Sequence, residues 1–177
     1  VCKTDAILII SIPNNHCYKY KIKGNHPEHV NSWFYSEFVD FPALAEDAGL
    51  EIDYLNGEPG VKTRRWLGRE ASDEELINLT LEKLKGVPPE KRGAQLKTVI
   101  ALNINGQINT FDGILRGVIM EKPIEKIIPG YPFRSLFYIP EIKKVLGELT
   151  MEEEAEIAHR KKAVEKALPT LLRYFNN

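Results

Sequence analysis

Leu96-Lys-Thr-Val-Ile-Ala-Leu-Asn-Ile104, then Asn105-Gly106, then Gln107-Ile-Asn-Thr-Phe111 is the stretch on which the fold turns. Two apolar, β-branched runs are separated by a dipeptide that takes positive φ at low cost, the pattern of a two-residue β-hairpin. Ile114 to Met120 then reads as a third strand. Upstream, Ser72-Asp-Glu-Glu75 is a capping box: hydroxyl and carboxylate satisfy free amides at a helix start. The helix it opens carries Leu76, Leu79 and Leu84 as its apolar face, flanked by Leu81, and stops at Gly86 and Pro88-Pro89. Further back, Ala43-Leu-Ala45 and Leu50-Glu-Ile-Asp-Tyr54 read as two short strands around an acidic turn, Glu46-Asp47-Ala48-Gly49, with a Pro59-Gly60 loop behind. Ala6 to Ile12 is a nearly continuous apolar run, as in a strand covered on both faces, and Pro13-Asn14-Asn15 ends it. Tyr18 to Lys23 alternates like a half-exposed strand, while 24–41 has no clear period. At the other end Thr150-Met-Glu-Glu153 is a second capping box, opening one helix through Ala155, Ala158, Ala163 and Ala167 that Pro169 ends or kinks. Strands and helices in this order predict an α/β fold: a mixed, partly antiparallel central sheet flanked by helices.

The composition agrees with a single domain over 1–177. At 177 residues, roughly 70% of the unfolded chain's surface can be buried, so a core forms without disulfides or structural metal. With 24 basic and 25 acidic residues the net charge is -1, and no global field exists to grip a nucleic-acid backbone. No nucleic-acid partner is expected. The longest apolar run is far below the ~20 residues of a membrane helix, so no membrane partner is expected either. Cys2 and Cys17 lie outside any C-x-x-C spacing and read as reduced thiols. No signal peptide is expected, and a chain that opens on Val1 reads as a fragment.

Three groups of residues offer chemistry. Glu46-Asp47 on a sharp turn can converge on a hard cation such as Mg²⁺, and such a pair also occurs as solvated surface. Lys62-Thr63-Arg64-Arg65 can hold phosphates through guanidinium forks or lie in water. His159-Arg160, in the last helix, can face a cleft or solvent.

Taken in order, Phe41-Pro-Ala-Leu-Ala-Glu-Asp-Ala-Gly-Leu-Glu-Ile-Asp53, Gly57-Glu-Pro-Gly-Val61 with Arg65, Phe137-Tyr-Ile-Pro-Glu141, Gly147-Glu-Leu-Thr150 and Ile157-Ala-His-Arg160 resemble the inosine triphosphate pyrophosphatase family. The resemblance covers about 41–175. It implies cleavage of ITP, dITP, XTP and related damaged purine triphosphates to monophosphate and pyrophosphate, with Mg²⁺ as cofactor, in a cytoplasmic homodimer. The family's Asp-Asp-Ser-Gly falls on Glu46 to Gly49, so the resemblance makes Asp47 the catalytic, metal-associated carboxylate and Glu46 its neighbour, with Ala48 lacking the family hydroxyl. Pro-Gly-Val-x-Ser-Ala-Arg falls on Pro59 to Arg65, assigning Thr63 and Arg65 to the substrate. The base-recognition Phe-Gly-Tyr-Asp-Pro falls on Tyr131-Pro-Phe-Arg-Ser135: Arg134 reverses the Asp charge, and Tyr131 or Phe133 can stack on the purine. Glu-Lys-Asn-x-x-Ser-His-Arg falls on Glu153 to Arg160; His159 and Arg160 match as donors to a 6-oxo group, while Glu154 stands where the family has Lys.

The opening departs most. The family's strand runs into Ser/Thr-Gly-Asn-x-x-Lys, for which only Asn14, Asn15 and the late Lys19 are at hand. Residues 1–40 therefore read as atypical: remodelled, truncated or frame-shifted. Two other classes remain open, a nucleotide-binding relic without turnover and an interaction protein that binds no nucleotide.

Overall fold

The computed structural model describes residues 8–11 and 43–175. Three of the substrate residues named above, Asn14, Asn15 and Lys19, lie outside that range, as does the strand expected over Tyr18 to Lys23.

Among the described residues, seven strands form one sheet. They are β1 (Leu8–Ser11), β2 (Ala43–Ile52), β3 (Pro59–Gly60), β4 (Gly93–Ile104), β5 (Gln107–Ile119), β6 (Phe137–Ile139) and β7 (Lys144–Val145), hydrogen-bonded in the order β1-β2-β4-β5-β6-β7 with β3 beside β2. The sheet is mixed, as expected: β1 pairs parallel with β2, while β3, β6 and β7 pair antiparallel with their neighbours. The described residues also form three α-helices, α1 (Asp73–Lys83), α2 (Met151–Ile157) and α3 (His159–Phe175).

Among the described residues the chain divides into two compact units. One takes 8–11, 43–47, 99–112 and 163–175, the other 48–98 and 113–162. The first buries Ile100 and Leu102 of β4 and Ala163, Ala167 and Leu171 of α3. The four-residue spacing of those helix positions keeps them on one face, and alanine at two of them allows close approach. The second unit holds a larger core, in which Leu50, Ile52, Leu76, Leu84, Leu136 and Phe137 are among the side chains cut off from solvent. Arg92 is 3% exposed and donates to the carbonyls of Leu84 (2.8 Å), Ile119 (2.7 Å) and Met120 (2.9 Å), tying the end of α1 to the end of β5. A buried charge is tolerated there because each of those donors meets an acceptor.

Four expectations are corrected. The acidic turn is no turn: Ala43 to Ile52 is one ten-residue strand, held straight by partners on both edges. Glycine at 49 is needed for another reason, since a side chain there would overlap the Gly60 carbonyl of β3. Gln107 to Ile119 is likewise a single strand rather than two. The hairpin itself forms as read, with φ of 51° at Asn105 and 81° at Gly106. On α1 the buried positions are Leu76, Ile77 and Thr80, with Leu84 just beyond, and Leu79 is only half-buried; the Thr80 hydroxyl is accommodated by donating to the Leu76 carbonyl at 2.7 Å. The C-terminal helix is two helices, because Ala158 takes ψ 122° between α2 and α3, and Pro169 lies inside α3.

Candidate active site

The Pro59–Arg65 segment is built on the edge of β2. Leu50 pairs with Gly60 and Glu51 with Pro59, and the chain then enters a 3-10 turn at Thr63–Arg65. The Thr63 hydroxyl donates to the Gly60 carbonyl at 2.6 Å and accepts from the Leu50 amide at 3.4 Å. It is thus a strut of the turn. Ala48 and Arg65 are each half-buried. Arg64 turns toward α1, donating to Asp73 at 2.6 Å and to the Ala71 carbonyl at 3.3 Å.

Asp73, the first residue of α1, joins two segments that the sequence keeps far apart. One carboxylate oxygen accepts from Arg64, the other from the Gly130 amide at 2.7 Å. An acidic group is favoured there by the free amides of the helix start. Gly130 directly precedes Tyr131, so Asp73 links the 131–135 segment to the Pro59–Arg65 turn. The sequence reading missed it, the only signal being an acidic residue directly after a cap.

Within the 131–135 segment the two aromatics part company. Tyr131 is 57% exposed and offers a ring face, whereas Phe133 is 6% exposed and belongs to the core. Of the two rings, only that of Tyr131 is open to a ligand. Arg134 grips Glu154 with two parallel bonds of 2.7 and 2.6 Å and donates to the Leu146 carbonyl at 3.3 Å. The guanidinium holds the Glu154 carboxyl below the usual carboxylate range. The two departures noted at these positions, a reversed charge and a lost positive charge, are therefore partners.

The break at Ala158 gives His159 and Arg160 a different setting from the mid-helix positions expected. They open α3. His159 is half-buried, and desolvation, reinforced by the positive Arg160, pulls its pKa down to about 4. The ring is neutral at pH 7, with one N–H to donate and one nitrogen to accept. Arg160 is exposed.

For the acidic pair, the strand geometry decides what is feasible. Consecutive residues of a strand send side chains to opposite faces, and Glu46 is half-buried while Asp47 is exposed. The two carboxylates do not converge as a turn would have made them. Among the described residues no group of three or more His, Cys, Asp or Glu side chains is disposed to hold a metal ion, and no helix is long and apolar enough to cross a membrane.

A mixed sheet with a parallel pair at one edge and α-helices makes this an α/β protein. The chain belongs to the Ham1 family, whose profile matches residues 20–170. That match begins upstream of Phe41, so part of the segment read as atypical falls inside it. The chain is 40% identical over 141 residues to a dITP/XTP pyrophosphatase of Desulforamulus reducens, covering 79% of this chain and 69% of that protein. Among solved structures, the Staphylococcus aureus Ham1 protein superposes with a TM-score of 0.68 at 30% identity, covering 75% of this chain and 68% of that one. A HAM1 protein from Coxiella burnetii gives 0.66 at 36% identity over 75% and 68%.

Proposed function

We propose that this chain hydrolyses damaged purine nucleoside triphosphates, dITP, ITP and XTP, to the monophosphate and pyrophosphate, and so clears them from the nucleotide pool. The observation that carries the reading is membership of a family whose similar members are named for this activity, together with a sequence that keeps Asp47, Arg65, His159 and Arg160 in the family order. A water oxygen attacks the α-phosphorus. The bond from that phosphorus to the α–β bridging oxygen breaks, and pyrophosphate leaves with that oxygen and the electron pair. Asp47 accepts the proton from the attacking water, and Arg65 binds phosphate oxygens by charge-assisted bonds. Thr63 acts indirectly, by fixing the turn from which Arg65 projects.

Mg²⁺ fits Asp47 and does not fit a joint chelate with Glu46. In triphosphate chemistry this ion is held by one or two carboxylates together with the phosphates themselves, and an exposed carboxylate on β2 is a donor of the right kind. When bound, the ion would neutralise phosphate charge and polarise the phosphoryl group.

Base selection follows from hydrogen-bond polarity. Arg160 has only donors, and neutral His159 has one, so both can meet a 6-oxo group, where adenine instead presents an amine. Tyr131 supplies the stacking face. A cytoplasmic homodimer completes the reading, supported by the family resemblance.

Product analysis tests the proposal. Incubated with dITP, XTP and dATP, the chain is expected to release pyrophosphate from the first two with about hundredfold or greater preference over dATP, the scale set by hydrogen-bonding sites that reject a mismatched group. Orthophosphate as the product, or equal rates on dATP, would contradict it.

A further inference from the structure

The Arg134–Glu154 pair is unusual in how thoroughly it is installed. Its arms come from two segments twenty residues apart, and the guanidinium side chain is 20% exposed. Two parallel bonds to the carboxylate fix the plane of the fork, and a third reaches the Leu146 carbonyl. The backbone beneath is equally constrained: a Cβ at Gly147 would meet the Arg134 carbonyl oxygen at 3.1 Å, and the neighbouring Ser135 is fully buried with its hydroxyl donated to the Pro132 carbonyl at 2.8 Å. On one side of the pair, Tyr131 acts electrostatically on Arg134; on the other, Glu154 acts on His159 and Arg160. By its bonds the pair joins the segment bearing Tyr131 to α2, the helix that precedes His159 and Arg160.

We infer that Arg134 and Glu154 act as one positioning device for purine selection, a charge-swapped counterpart of the Asp and Lys that the family pattern carries at these two positions. Neither residue contacts the base. Arg134, engaged by Glu154, holds the 131–135 segment against α2, just ahead of the break that sets His159 and Arg160, and the selectivity for a 6-oxo purine depends on that hold. The inference deepens the proposed function and rests on its reading of the base site. A bidentate fork is specific to arginine, so lysine at 134 keeps the charge and loses the geometry.

The experiment measures calorimetric Kd for ITP and ATP, which needs no turnover, on the whole chain and on R134A, R134K, E154A and the exchanged double variant R134E/E154R, with melting temperatures recorded alongside. The ITP-to-ATP preference is expected to fall about tenfold in each single variant, R134K included, and to return toward the parent in the exchanged pair, as coupled neighbours do in a double-mutant cycle. A pair that only stabilised the fold would lower the melting temperature and leave the preference unchanged, which overturns the inference. So does a double variant no better than the singles. A parent that prefers ITP without releasing pyrophosphate would refute the hydrolytic reading and leave this inference intact; a parent with no preference refutes the inference.

Discussion

His159 is the residue whose environment most constrains its chemistry. Its pKa of about 4, against an ordinary 6.5, comes first from desolvation and then from Arg160 and Lys162, with Glu154 opposing. The unfolded state takes up a proton as the pH falls through 6.5, while the native state resists until about 4. Stability contributed by this site is therefore complete above pH 6.5 and is lost on acidification between about 6.5 and 4, by at most about 3 kcal/mol and less in proportion to the solvent that still reaches the ring. Urea denaturation at pH 5 and pH 7 is expected to show a smaller acid loss for His159→Gln than for the parent. Because the ring stays neutral, ITP affinity is expected to be flat between pH 6 and 8 as far as His159 is concerned. Its neighbour has a separable signature. Arg160→Ala is expected to raise KM for ITP more than it lowers kcat, since a base contact remote from the phosphorus is made in the ground state as well. An unchanged KM and an unchanged ITP-to-ATP ratio in steady-state kinetics would return Arg160 to the role of a solvated helix residue.

At the scale of elements, the start of α1 ties three things together. Ser72 and Glu75 close the capping box with bonds of 2.8 and 3.2 Å, and Asp73 reaches both Arg64 and the Gly130 amide. Asp73→Ala is expected to cost about 1 to 3 kcal/mol, the sum of a lost charge-assisted pair, an unsatisfied amide and a lost helix-start charge. It should also raise KM, because the turn bearing Arg65 and the segment bearing Tyr131 lose their common anchor. Asp73→Asn keeps an acceptor for Gly130 and should lose less of both. Equilibrium urea melts and steady-state kinetics check these outcomes together. Which elements could be read beforehand follows from where their determinants lie. Both capping boxes and the Asn105-Gly106 hairpin are decided within four residues, and each formed as read. The continuous β2 was not legible, because Glu46-Asp47-Ala48-Gly49 has turn composition and is made a strand by β1 and β3. The break at Ala158 was hidden by a residue that is the best of helix formers. Phe133 was readable as aromatic, but its assignment to the core rather than the ligand depends on contacts distant in sequence.

For the whole molecule, the order of motifs carried the family, while the pairing of Arg134 with Glu154 was open to view only as two opposite charge replacements and required the fold to bring them together. The central claim is that Asp47 serves pyrophosphate-releasing hydrolysis of damaged purine triphosphates. The most direct measurement is pyrophosphate release from dITP with Mg²⁺ by the parent, Asp47→Asn and Glu46→Gln side by side, with circular dichroism showing that all three are folded. Since the substitution removes a proton acceptor and a phosphate-side oxygen donor together, Asp47→Asn is expected to lose well over tenfold in rate. Glu46→Gln, on the opposite face of the strand, should lose much less. A folded Asp47→Asn that keeps the parent's rate would contradict the account.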